Sequence, residues 1–133
     1  MELFFIGLSA LLLSYLLNKA FLGWLGDKAI YLAAPAIEEI LKSIPAYCLN
    51  RPIWPVHLFF GIGEALYDYL SSRKRIGKWA AVFSILSHGI FGAITAGMLY
   101  FFDNLTVGLF AAVLVHGAWN YFIMRPGRQS TGC

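Results

Sequence analysis

Two adjacent carboxylates, Glu38 and Glu39, stand inside the apolar run 29–48, with Lys42 one helical turn further on. An ionisable side chain at the centre of a bilayer costs about 2.5–3.5 kcal/mol to insert, so three together mark a functional site with partners on neighbouring helices. Further polar residues recur in the later apolar runs: Glu64, His88, His116 and Asn120. Carboxylates and imidazoles held away from bulk water take and return protons during hydrolysis or proton transfer. The same residue types, converging from separate helices, could instead hold zinc through His88, His116 and Glu39, leaving a position for water.

Elements that lie in a membrane must position these groups. The chain has 133 residues, of which 59% are hydrophobic, 17% aromatic and 13% charged. A soluble domain carries about 25% charged residues, so this chain has too little polar surface for a water-soluble fold. Segments of about 20 apolar residues span a bilayer. The sequence predicts an all-α membrane protein, a compact bundle of five transmembrane helices over residues 3–24, 29–49, 55–70, 79–102 and 105–124. Residues 1–125 form one domain, 126–133 a polar tail, and the short links make consecutive helices antiparallel neighbours.

The net charge of +3 comes largely from the run Arg73–Lys78 and from Arg125 and Arg128. Basic residues beside spans follow the positive-inside rule rather than nucleic-acid binding. They put the N-terminus outside and the C-terminus in the cytoplasm, with Lys19 and Lys28 inside and Arg51 and Asp103 outside. Cys48 and Cys133 fit no metal spacing and fall on opposite sides, so no disulfide is expected between them. The N-terminus lacks a basic leader and a small-residue cleavage site, so the first segment is expected to stay as a helix.

Within this arrangement, four consecutive helices each bring an ionisable residue to roughly one height. His116 and Asn120 share a helix face, as do Glu38 and Lys42. Adjacent glutamates project about 100° apart on a helix, so one is expected to face a cavity while the other ties down Lys42. Gly61, Gly63, Gly89, Gly92, Ala96 and Gly117 flank these positions and read as close-packing sites. Glu64 reads as structural or pathway-lining. His57 falls near a span end and reads as interfacial, and Trp24, Trp54, Trp79 and Trp119 as belt or core residues.

Four pieces in order resemble the PrsW-type intramembrane proteases, within the wider group of CAAX prenyl proteases and the Aph subunit of gamma-secretase. They are Ala34-Pro-Ala-Ile-Glu-Glu-Ile-Leu-Lys42, Gly61-Ile-Gly-Glu-Ala-Leu-Tyr67, Ser87-His-Gly-Ile-Phe-Gly-Ala-Ile-Thr-Ala-Gly97 and Val115-His-Gly-Ala-Trp-Asn120. The resemblance implies an intramembrane endopeptidase that cuts a membrane-anchored or lipidated substrate, in a prokaryotic cytoplasmic membrane, with no obligatory cofactor. It implies that Glu38 or Glu39 activates water, that His88 orients water or shuttles protons, and that His116 and Asn120 line the oxyanion site. Lys42 and Glu64 would support them. Three other classes fit the same residues: a non-catalytic scaffold holding a partner helix, a proton-linked transporter, and a bis-histidine haem protein using His88 and His116.

Overall fold

The computed structural model describes residues 1–71 and 74–124, and every element among them is a helix. They are α1 (Glu2–Leu25), α2 (Lys28–Tyr31), α3 (Ala33–Cys48), α4 (Ile53–Ser71), α5 (Lys74–Phe102) and α6 (Leu105–Met124). Part of the Arg73–Lys78 run, and all of Arg125, Arg128, Cys133 and the tail, lie outside the described residues.

Three of these helices, α1, α5 and α6, are long and apolar enough to cross a membrane. Many large apolar side chains point outward, among them Leu12, Leu16, Leu86, Ile90, Phe110 and Leu114. Glu38, Glu39, Lys42, His57, His88 and His116 instead turn inward. That inversion suits a bundle whose surroundings are hydrocarbon, where no solvation is gained by exposing charge.

The expected second span is broken. It divides at Leu32 into the one-turn α2 and the 16-residue α3. Pro35 explains the break: it has no N–H to give the Tyr31 carbonyl, and it disfavours helical geometry in the residue before it. Proline is tolerated in the first turn of α3, where no intrahelical partner is needed. The freed carbonyls find other company. Asn120 Nδ2 donates to Ile30 O at 2.9 Å. The Tyr31 carbonyl lies where a Cβ on Gly117 would be only 2.8 Å away, so α6 can approach only because residue 117 has no side chain.

α3 is the hub, packing on α1, α2, α4 and α6, while α5 packs on α4 and α6. Its buried stripe repeats every turn as Ala34/Pro35, Glu38/Glu39, Lys42/Ser43 and Ala46, with Ile40, Ile44 and Tyr47 on the outer face. The α5 stripe runs Ser84, Ser87/His88, Phe91 and Thr95, and α6 adds Ala112 and His116. The turn between α5 and α6 is tight. Asp103 adopts a left-handed φ of 48°, and Asn104 Oδ1 caps α6 by accepting from the Thr106 and Val107 amides.

Candidate active site

The polar stripes of α3, α4, α5 and α6 meet in one connected network. Lys42 Nζ donates to Glu39 Oε1 at 2.7 Å and to His88 Nδ1 at 3.0 Å. An ammonium has only protons to give, so His88 accepts through Nδ1 and carries its own proton on Nε2. That proton is donated to Glu64 Oε2 at 2.6 Å, an oxygen that also accepts from Ser84 Oγ at 2.7 Å. On the other side of Lys42, His116 Nδ1 donates to Glu39 Oε1 at 3.0 Å. Glu39 and Lys42 are both fully buried.

The two glutamates therefore hold different positions. Glu39 anchors a lysine and a histidine through Oε1, while its Oε2 is buried without a hydrogen-bond partner among the described residues and borders neither cavity. Glu38 turns the other way, accepts from Asn18 Nδ2 at 2.8 Å through Oε1, and leaves Oε2 buried without a partner among the described residues. That free oxygen lies 3.7 Å from His116 Nε2. The ring of His116 is fixed by Glu39 on its far side and by a stacked Phe91, centroids 4.4 Å apart. A carboxylate oxygen and a ring nitrogen thus lie close together without a direct hydrogen bond, and one small polar molecule seated beside the pair could reach both.

Two cavities flank this gap. A groove of about 710 Å³ is lined by Glu38, Asn18, Ser14 and Glu64 and by apolar residues including Leu11 and Phe60. A smaller cavity of about 200 Å³ is lined by His116, His88, Glu64, Ser84, Ser87 and Asp68. Glu64 and Asn120 line both.

Of the residues singled out in the sequence, Glu38, Glu39, Lys42, Glu64, His88 and His116 come together. Asn120 does so only in part: it borders both cavities, but its amide is committed to the Ile30 carbonyl. His57, expected near an interface, packs inside the bundle. It is fully buried, shares a 2.9 Å hydrogen bond with Ser43 Oγ through Nε2, and places Nδ1 3.7 Å from Glu39 Oε2. The reason is Gly92, where a Cβ would lie 2.6 Å from His57 Cβ; the missing side chain is the socket for the ring. Asn18, Ser14, Ser43 and Ser84 were not foreseen. The one available signal was a polar residue inside an apolar run, which is unremarkable for serine and easily passed over for a single asparagine.

The metal-ligand set that the geometry offers is Glu38, His88 and His116, whose ligating atoms lie within 4.8 Å of one another. Both nitrogens of His88 already have partners, and one of these is the Lys42 ammonium. A cation bound through His88 would have to displace Lys42 or Glu64. Glu39, expected in the zinc alternative, has its Oε1 taken by Lys42 and His116 and its Oε2 buried beside His57, and it is not part of the set whose ligating atoms converge.

No family model, curated protein or solved structure matches the chain at a significant level. Fold and site together define a chain whose described residues are helical, with three helices among them fit to cross a membrane and a buried cluster of glutamates, histidines and a lysine.

Proposed function

We propose that the chain is an intramembrane endopeptidase, similar to the PrsW-type proteases, in which Glu38 activates water for hydrolysis of a membrane-anchored substrate. The observation that carries this reading is the unpartnered Glu38 Oε2, buried at the edge of a cavity and 3.7 Å from His116 Nε2. A water seated beside the pair, hydrogen-bonded to Glu38, loses a proton to that carboxylate as its oxygen adds to the peptide carbonyl carbon. His116, held by Glu39, in its protonated form donates Nε2–H to the oxyanion. Collapse of the tetrahedral intermediate breaks the C–N bond, and the amide nitrogen leaves with the proton returned by Glu38.

The supporting parts follow from the network. Lys42 fixes the charge of Glu39, and Glu39 in turn orients His116. The smaller cavity, with its serines and acids, supplies water to a site otherwise walled by apolar side chains, and Glu64 lines that route. Chemistry without a metal is favoured because the lysine ammonium already occupies the position beside His88. The outward apolar faces of α3 and α4, including Ile40, Ile44, Ile62 and Leu66, support embedding of these two helices in hydrocarbon alongside α1, α5 and α6, and the distribution of lysine and arginine supports an N-terminus outside.

A second reading has one specific support. Glu64, His88, Lys42, Glu39 and His116 form an unbroken hydrogen-bonded series whose two ends line the smaller cavity, with Glu64 also reaching the larger one, the kind of Glu-His chain that proton pathways use. One preparation separates the two. In proteoliposomes with a membrane-anchored reporter and a trapped pH dye, the peptidase yields fragments by mass spectrometry, lost in Glu38→Ala and His116→Ala, without proton flux. Flux without fragments overturns the peptidase reading.

A further inference from the structure

α1 contributes a polar edge to the large groove. Ser14 and Asn18, one turn apart, share a helix face, and both line the groove beside Glu38. Ser14 is only 2% exposed. Ser14 Oγ and Asn18 Oδ1 are buried without a partner among the described residues. Asn18 spends a proton of its amide nitrogen on Glu38 Oε1 and turns its acceptor oxygen elsewhere. Polar atoms left unpaired in apolar surroundings are costly, so their natural complement is a ligand that brings N–H donors into the groove.

Spacing narrows the ligand class. Four helical residues rise about 6 Å. In an extended polypeptide, N–H groups on one side recur every second residue, about 6.6–6.8 Å apart. The two repeats agree within the reach of a side chain. An acyl chain has no donors to offer, and a helical substrate has already used its N–H groups internally.

We propose that Ser14 and Asn18 form a rail that binds the main chain of an unwound, extended substrate segment alongside Glu38. This rests on the peptidase reading and deepens it. A helical peptide bond shields its carbonyl, whereas a strand laid along α1 presents that carbonyl beside Glu38. Recognition is through main chain, so side-chain sequence contributes little to it.

The test uses the full chain carrying Glu38→Gln, in lipid nanodiscs, titrated with fluorescent apolar peptides that span a bilayer and have a central glycine–proline break. N-methylation removes one backbone N–H at a time. At two sites of one alternating phase it should weaken binding about threefold to tenfold each, and in the other phase leave it unchanged. Ser14→Ala should abolish the effect at one of the two sites, whereas Ser14→Thr, which keeps the hydroxyl, should retain it. Absence of saturable binding, equal sensitivity in both phases, or an effect surviving Ser14→Ala overturns the rail. Cleavage by the native chain reports separately. If Glu38→Gln still cuts at the native rate but the methylation phase persists, the assignment of Glu38 as the base falls and the rail stands; if the native chain does not cut at all and the phase persists, the hydrolytic reading falls and the rail stands as a binding site. If cutting depends on Glu38 and no phase is seen, the rail alone falls.

Discussion

Lys42 is the most informative residue to remove, because it is fully buried and touches both halves of the site. Lys42→Met keeps much of its volume and its contact with the Phe60 ring, over which the ammonium sits at 4.6 Å. It leaves Glu39 as a buried charge whose remaining support is the His116 hydrogen bond, and it leaves His88 Nδ1 without a donor. Removing one member of a buried ion pair costs about 3–5 kcal/mol. The surviving His116 bond puts the expectation at the lower end, about 3 kcal/mol. The double variant Lys42→Met/Glu39→Gln removes the stranded charge, and its amide oxygen can still accept from His116, so at least half of that loss should return. Equilibrium unfolding by sodium dodecyl sulfate in mixed micelles, followed by far-UV circular dichroism, reads both. A single variant within about 1 kcal/mol of the native chain, or a double variant no more stable than the single, refutes the ion-pair account.

Three further outcomes are expected. Gly92→Ala, whose Cβ would lie 2.6 Å from His57 Cβ, should destabilise by about 1–3 kcal/mol in the same unfolding assay and displace the His57 imidazole resonances. Asn120→Ala should expose the Ile30 carbonyl at the α2–α3 break, costing about 1–3 kcal/mol and speeding amide exchange around Leu32. Metal chelators should leave peptide cleavage within about twofold of the untreated rate, since Glu38, His116 and bound water suffice for the reaction; loss of activity restored by added zinc would reverse the choice of mechanism.

The polar positions were legible in the sequence because charge in an apolar run is costly wherever it lies. Glu38, Glu39, Lys42, Glu64, His88 and His116 stood out on that ground, and the adjacency of the glutamates already required them to diverge. What the sequence hid depends on contacts between distant segments. Pro35 can either kink a helix or end it, and α6 is what covers the break, with Asn120 donating to the Ile30 carbonyl and Gly117 leaving room for that of Tyr31. His57 looked interfacial from its distance to a span end; only the void at Gly92, 35 residues away, draws it inside. The basic stretch after α4 looked like a link, yet α5 begins at Lys74, since lysine and arginine are good helix formers and no proline interrupts them. Asn18 was missed because one asparagine carries no spacing signal of its own.

The division of labour between the two glutamates is tested most directly by comparing Glu38→Gln and Glu39→Gln in one reconstituted cleavage assay, with unfolding measured on the same samples. If Glu38 is the base, Glu38→Gln loses about 10²–10⁴ in rate while remaining as stable as the native chain, whereas Glu39→Gln loses both rate and stability. Cleavage by a folded Glu38→Gln chain at the native rate would contradict the account.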